Sequence, residues 1–256
     1  MKGSDGSLID KDYLFEADVD GFIRSALDQS AMNEQVIVMG DSVIECMFVD
    51  HGERMTDHAE LELRSLGFST AVRNGGVTGA TSLHILNAII NKIAPIKPRL
   101  VVLASGIMDQ DCMLDPDSFW TTHPYLTPIR FDPPIPQPEP ALLPDLQMGD
   151  RLGILKIIKA ACENLGLPLA VATTAHRGND AYTAARMPWI ENYTARRRAV
   201  NAQTREFALS AGLRLIDVEQ EFSETHGIFY DQFHLNANGA AEVGSFFGRE
   251  IADILS

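Results

Sequence analysis

Residues 36–45 read Val36-Ile-Val-Met-Gly-Asp-Ser-Val-Ile-Glu45. The apolar run at 36–39 predicts a strand buried on both faces, as in a parallel sheet, and Gly40-Asp41-Ser42 ends that run. A hydroxyl group therefore lies at the carboxyl end of the strand, the edge at which open parallel α/β sheets bind their ligands. Ser42 is a candidate site residue, although Asp41 or Ser42 can also serve simply as the cap of the following helix.

The remaining chain repeats this pattern of short buried strands and longer amphipathic segments. Strands are predicted at 69–72, 99–106, 168–174 and 213–218, and helices at 44–66, 83–93, 149–164, 188–209 and 240–255. Strands that alternate with helices predict an α/β fold with a doubly wound parallel sheet. We assign residues 35–256 to this one domain and interpret the acidic, polar residues 1–34 as an arm packed on it.

One long segment, residues 113–148, interrupts the pattern. Its nine prolines exclude a long regular helix or a central strand. Long loops in compact domains are usually functional or disordered, and the aromatic residues Phe119, Trp120, Tyr125 and Phe131 favour an ordered cover. We interpret the segment as a loop insertion that selects the substrate; the alternative is an insertion that only shields the sheet.

The charge of the chain limits its partners. A formal net charge of −14 over 256 residues argues against nucleic acid and anionic membranes, because both require a concentrated basic surface. In so acidic a protein, Arg196-Arg197-Arg198 is interpreted as a solvated helix face. The expected partner is a neutral small molecule or carbohydrate, and the oligomeric state is not predicted.

Cysteine usage and hydropathy give the expected compartment. Cys46, Cys112 and Cys162 are far apart in apolar surroundings, which favours buried free thiols over a disulfide or a zinc site. The first ten residues do not resemble a signal peptide, and no stretch approaches ~18 continuous apolar residues. The default expectation is a cytoplasmic protein, with export left open in case a signal has been removed.

A serine hydroxyl becomes a nucleophile when a base removes its proton and a third group orients that base. His234 is the best candidate base, because Asp231 lies three residues before it and, on one turn, reaches the nearer imidazole nitrogen. Of the other histidines, His51 and His58 fall in the predicted helix after Ser42, His84 falls in the first turn of another helix, and His123, His176 and His226 fall in loops. Spacing alone leaves an ordinary surface Asp and His as the alternative.

Four blocks follow one another in the order Gly40-Asp41-Ser42, 74–79, Gly106-Ile-Met-Asp109 and Asp231-x-x-His234. With these blocks, the chain resembles the SGNH, or GDSL-type, hydrolases over roughly residues 35–250. The resemblance implies a flavodoxin-like three-layer α/β/α sandwich with a central parallel sheet of about five strands. It also implies that Ser42, Asp231 and His234 form a catalytic triad. The implied oxyanion hole uses the N–H groups of Ser42 and Gly79 and the amide of a third-block asparagine.

The third block departs from the family pattern. Met108 stands where the family has asparagine, and a thioether cannot donate a hydrogen bond. Loss of one oxyanion donor typically costs on the order of 10²- to 10³-fold in turnover. Either two backbone donors suffice, or another donor replaces the amide, or the protein only binds its ligand. Because the whole triad is present, we favour the first two.

We therefore predict a serine esterase that acts on a small acyl group, acetyl above all, with a carbohydrate as the candidate alcohol. An acyltransferase with the same triad and a catalytically silent binding protein are the alternatives. No cofactor is expected, because 74–79 lacks the first glycine of the dinucleotide fingerprint and its acidic partner. Asp109, Asp111 and His51 lack metal-ligand spacing, and no Gly-x-Ser-x-Gly elbow occurs.

Overall fold

A computed structural model describes residue 8 and residues 11–30, 32–124, 126–127, 145–178, 193–225 and 227–256. Within these residues, five strands form one sheet in the order β2-β1-β3-β4-β5, and every neighbouring pair is parallel. The strands are β1 (Glu34–Gly40), β2 (Thr70–Gly76), β3 (Leu100–Ala104), β4 (Leu169–Ala172) and β5 (Arg214–Ile216). This is the flavodoxin-like order, so the predicted fold is confirmed.

The helices cover both faces of the sheet. They are α1 (Ser42–Glu45), α2 (Met55–Ser65), α3 (Ser82–Ala88), which continues as a π-helix (Ile89–Ile93), α4 (Ile107–Leu114), α5 (Met148–Leu165), α6 (Tyr193–Ala211), α7 (Val218–Phe222) and α8 (Ala237–Leu255), with a 3₁₀ turn at Ser118–Trp120. Val36 and Val38 face the apolar cluster of α2 and α8, whereas Ile37 and Met39 face that of α3, α5 and α6. The first strand is therefore buried on both faces, as predicted.

The predicted helix at 44–66 is broken into two. Helix α1 ends at Glu45, because Cys46 adopts a left-handed φ of 51°, and α2 begins nine residues after Cys46, at Met55. The break turns the chain so that α2 packs against α8. The prediction that His51 lies on a helix is wrong, because His51 lies in the intervening loop.

The segment 113–148 is described only in part. Helix α4 extends into it as far as Leu114, Phe119 is buried, and Trp120 is 64% exposed. Tyr125 and residues 128–144, including Phe131, lie outside the described residues, so the cover predicted there stays a prediction. In the 1–34 segment, Phe22 and Ile23 are buried, and the Ile23 N–H donates to the Asn74 carbonyl at 3.0 Å.

All three cysteines are buried and unpaired. Along the described part of the chain, no helix combines the length and apolar character needed to cross a membrane.

The chain order of the strands fixes where a ligand can bind. β1 lies between β2 and β3, so the loop after β1 leads to one side of the sheet and the loop after β3 to the other. Such a point of reversal leaves a crevice at the carboxyl ends of the two strands. Ser42 follows β1 at this crevice, and the third block follows β3.

Candidate active site

Ser42 is not the residue that caps its helix. The cap of α1 is Asp41, whose Oδ1 accepts the Val43 N–H at 3.0 Å. The preceding Gly40 has no room for a side chain, because a Cβ there would lie 2.3 Å from Ile44 and 2.7 Å from the Ala104 carbonyl oxygen. The turn therefore needs glycine and a capping carboxylate, and the Ser42 hydroxyl is left free for another partner.

That partner is His234. The distance from Ser42 Oγ to His234 Nε2 is 2.7 Å, and His234 Nδ1 lies 2.6 Å from Asp231 Oδ2. Because a carboxylate only accepts hydrogen bonds, Nδ1 carries the proton and Nε2 is free to accept the Ser42 O–H. Three side chains separated by up to 192 positions thus form one hydrogen-bonded chain.

The acid and the histidine lie at the tip of a short hairpin. An antiparallel bridge between Phe229 and Leu235 forms the stem, and the Tyr230 N–H donates to the His234 carbonyl at 3.0 Å. At the tip, Asp231 Oδ1 accepts the N–H groups of Phe233 at 3.0 Å and His234 at 2.8 Å. The carboxylate thus fixes the turn with one oxygen and the imidazole with the other.

Electrostatics keep Asp231 ionised. Burial alone would raise its pKa, but the hydrogen bond and charge of His234 and the two backbone N–H groups together lower the pKa below its ordinary value of 3.8. The imidazole lies parallel to the Tyr230 ring, with centroids 5.4 Å apart, and against Phe233 at 4.4 Å. These aromatic contacts restrict the orientation of the base.

Gly79 lies in a turn that is tied to the start of α1. The Ala80 N–H donates to Val77 at 2.9 Å, and Gly79 has a φ of +82°, which favours glycine. The Thr78 hydroxyl binds the buried Glu45 carboxylate, three residues after Ser42. The Val77 N–H donates to the Gly40 carbonyl at 3.1 Å. The second block is therefore hydrogen-bonded to residues on both sides of Ser42.

The third block is held by a buried arginine. Arg197 is fully buried, and its Nη1 donates to the Gly106 carbonyl, so the interpretation of this arginine run as a solvated face is wrong at Arg197. The next N–H, of Ile107, donates to Asp41 Oδ2 at 3.2 Å. Met108 is half-buried against the apolar cluster of α3, α5 and α6. Its position remains without a side-chain donor.

Asp41 thus joins the first and third blocks. Burial raises the pKa of its carboxyl group, against the opposing effects of the Val43 N–H and the nearby charges of Arg197 and His234. A carboxyl group removed from water is tolerated here because it accepts two backbone hydrogen bonds. Its geometry sets the distance between the starts of α1 and α4.

Asp109 belongs to a buried cluster of hydrogen bonds. Its carboxylate accepts the N–H of Ser82 at 2.7 Å, the hydroxyl of Ser82 at 2.6 Å and the guanidinium of Arg151 at 2.9 Å. All three groups are buried, so this cluster joins α4 to the first turn of α3, three residues after Gly79. Two residues further along α4, burial raises the pKa of Asp111 to about 6.

A second histidine and carboxylate pair occurs away from Ser42. His176 is fully buried, and its Nε2 lies 2.8 Å from Oε1 of Glu219, an acid 43 positions further along the chain. His58 is paired with Glu53 at 3.1 Å, and His226 lies outside the described residues. Among the residues that are described, no three His, Cys, Asp or Glu side chains are grouped to hold a metal ion.

A cavity of about 460 Å³ lies beside the second-block turn, a volume in the usual range of ligand pockets. Its lining is mostly apolar and includes Gly40, Val77, Gly79, Ile85, Pro124 and Thr127. His84 hydrogen-bonds the Thr127 backbone, and burial lowers the pKa of this imidazole. The described start of the 113–148 segment therefore borders the space next to Gly79.

The chain is similar to known proteins in its sequence pattern and in its fold. The model of the GDSL-like Lipase/Acylhydrolase family matches residues 38–242. The fold is similar to that of the acetyl xylan esterase AlAXEase, at 14% identity and a TM-score of 0.60, with 86% of this chain and 98% of the other covered. It is also similar to a lipase/acylhydrolase from Enterococcus faecalis, at 17% identity and a TM-score of 0.60, covering 86% and 96%.

A third similar structure is Axe2, an acetylxylan esterase from Geobacillus stearothermophilus, at 12% identity and a TM-score of 0.59, with 88% of this chain and 95% of Axe2 covered. No match was found among curated protein sequences.

Proposed function

The chain belongs to the GDSL-like lipase/acylhydrolase family, and from that premise we propose that it is a serine esterase that removes a small acyl group through an acyl-serine intermediate. The observation that carries this proposal is the hydrogen-bonded chain Ser42–His234–Asp231, with both links at 2.6–2.7 Å. A hydroxyl, a base and an orienting acid in this order are what acyl transfer requires.

The geometry leads to a two-step reaction. His234 Nε2 takes the proton of Ser42 as Oγ attacks the ester carbonyl carbon, and the same proton then passes to the leaving alcohol. His234 next takes a proton from water, the hydroxide attacks the acyl-serine, and the acid leaves as Ser42 regains its proton. Asp231 stays ionised throughout and stabilises the imidazolium that forms in each step.

The oxyanion that forms on attack needs hydrogen-bond donors. The Ser42 N–H belongs to the first turn of α1, where no helical carbonyl accepts it, and we assign it and the Gly79 N–H as donors. Both belong to segments that are tied together through Glu45 and Thr78. With Met108 at the third position, the proposed hole has two backbone donors and an atypical third position.

For the substrate we propose an acetyl ester, with a carbohydrate or similar alcohol as its other part. Support comes from two structural neighbours that are acetyl xylan esterases. The cavity beside Gly79 offers room for the remainder of the ester, and Pro124 and Thr127 bring the 113–148 segment to its edge. We therefore keep this segment as the proposed selector of substrate.

The proposal is tested by incubation with an aryl acetate and by labelling with a serine-reactive phosphonate. Steady release of acetate together with phosphonate attached to Ser42 is the expected result. Addition of an alcohol acceptor separates the alternatives: acylated acceptor in place of acetate identifies a transferase. If neither turnover nor labelling of Ser42 is observed, the catalytically silent binding protein is the alternative that remains.

Replacing Met108 by asparagine is expected to raise turnover of the aryl acetate about tenfold. A single added oxyanion donor is worth on the order of 10²-fold in well-formed sites, and a newly introduced amide is less well placed. Met108→Leu, which fills a similar volume without a donor, measures the effect of the side-chain change alone. A lower kcat in Met108→Asn than in Met108→Leu would mean that this position does not face the oxyanion.

A further inference from the structure

The hairpin that carries Asp231 and His234 accepts several hydrogen bonds from Arg177. Arg177 follows β4 and donates its Nε to the Asp231 carbonyl at 2.6 Å and its Nη2 to the Phe229 carbonyl at 2.7 Å. Its backbone N–H donates to the Gln232 carbonyl at 2.8 Å. Three carbonyl groups around the hairpin tip therefore accept hydrogen bonds from Arg177.

The segment that carries Arg177 is itself fixed through the neighbouring residue His176. The fully buried His176 contacts the Arg177 carbonyl through Nδ1 at 3.1 Å and Glu219 of α7 through Nε2 at 2.8 Å. The His176 N–H donates to the Ser223 hydroxyl at 3.2 Å. The segment after β4 is thus fixed against α7, and it offers a rigid base from which the guanidinium reaches the hairpin.

We infer that Arg177 is a positioning residue that sets the place of His234 and Asp231 relative to Ser42. The inference rests on the esterase function proposed above and deepens it. Hydrogen bonds of the Asp231 carboxylate at the tip close the turn but do not fix its distance from the start of α1, where Ser42 lies. The planar guanidinium of Arg177 binds the carbonyl groups of Asp231 and Phe229 and so fixes the hairpin relative to the segment after β4. A lysine ammonium cannot reproduce this two-point geometry.

Replacing Arg177 by alanine is expected to lower kcat roughly 10²-fold, since a misplacement of about 1 Å at a catalytic group has an effect of this size. KM should stay within about twofold, because the Arg177 contacts that define its role are to the protein backbone and not to substrate. Arg177→Lys should retain only part of the activity. The measurement is steady-state kinetics on the aryl acetate, with thermal unfolding recorded for each variant.

Arg99 provides a matched control. Its guanidinium also donates to a backbone carbonyl, that of Leu255 at 2.8 Å, but it lies at the opposite, amino-terminal end of the sheet. Arg99→Ala should cost stability without lowering kcat.

Added guanidinium ion, at concentrations that do not denature the protein, should restore turnover to Arg177→Ala, because Arg177 lines an open cavity of about 190 Å³. Methylammonium, which lacks the planar set of N–H donors of guanidinium, should not restore turnover.

A second readout does not depend on hydrolysis. The proton between His234 Nδ1 and Asp231 gives a low-field NMR resonance, which should be lost or shifted in Arg177→Ala and kept in Arg99→Ala. If wild-type protein has no Ser42-dependent turnover and this shift still occurs, the proposed function fails and the positioning role stands. An unchanged resonance, full activity in Arg177→Ala, or a raised KM with normal kcat would overturn the role.

Discussion

Replacing Ser42 by alanine is expected to reduce hydrolysis of an aryl acetate by on the order of 10⁴- to 10⁶-fold, to the level of the residual contributions from binding and the oxyanion donors. The reason is that Ser42 Oγ is the hydroxyl oxygen that His234 Nε2 contacts, at 2.7 Å. Initial rates at saturating substrate measure the effect. If the activity of Ser42→Ala equals that of the wild type, the proposed serine mechanism is wrong.

The substitution reports on chemistry and not on folding. Asp41, not Ser42, caps α1, so removal of the Ser42 hydroxyl takes no hydrogen bond from the helix. The unfolding temperature should therefore stay close to that of the wild type. Ser65→Ala is the matched control, because the Ser65 hydroxyl is exposed and bonds only the Glu62 carbonyl of its own helix, at 2.8 Å. Equal loss of activity in both variants would point to damage unrelated to the site.

Features that depend on neighbours in the sequence were predictable. The strand at 36–39, its end at Gly40 and the turn from Asp231 to His234 each follow from local residue types and spacing, and the structure has them where expected. The sheet of five parallel strands follows from the same local alternation, repeated along the chain. The family resemblance carried by the order of the blocks also predicted that Ser42 and His234 meet, and Ser42 Oγ lies 2.7 Å from His234 Nε2.

The break after α1 was not predictable in this way. Apolar residues occur at helical spacing on both sides of Cys46, so the hydrophobic pattern continues across the point where the backbone turns. The turn depends on Cys46 adopting a left-handed conformation and on α2 packing against α8, which lies about 180 residues further along the chain. Tertiary packing overrode the local preference.

The supporting polar residues were missed for a related reason. Arg177, Arg197 and the pair of His176 with Glu219 act through bonds that span 54, 91 and 43 positions. Local patterning tells how polar a segment is, but not which polar side chain turns inward to meet a backbone carbonyl. The sequence did contain a signal for Arg177. It is a basic residue just beyond the predicted strand at 168–174, in the same way that Ser42 is a hydroxyl residue just beyond the predicted strand at 36–39.

Replacing Asp231 by asparagine is expected to lower kcat by about 10⁴-fold, close to the effect of removing the nucleophile. The amide keeps an oxygen for the N–H groups of Phe233 and His234, so the turn is preserved. It places an NH₂ group where the carboxylate met Nδ1, and Nδ1 must then accept. The proton moves to Nε2, which can no longer take the proton of Ser42.

A dependence of stability on pH separates this effect from a loss of structure. The folded pKa of Asp231 lies below its ordinary value of 3.8, so its charge stabilises the fold fully above that pH and less as the pH falls through the folded pKa. Below about pH 4, Asp231→Asn should therefore lose less stability than the wild type in urea titrations. Asp217→Asn is the control, because the pKa of Asp217 is also lowered but its partner is Arg205, at 2.7 Å, and not His234. Asp217→Asn should lose stability and retain turnover. Asp231→Asn should lose about 10⁴-fold in kcat while losing no more stability at neutral pH than Asp217→Asn does, and an equal loss of turnover in the two variants would assign Asp231 to the fold.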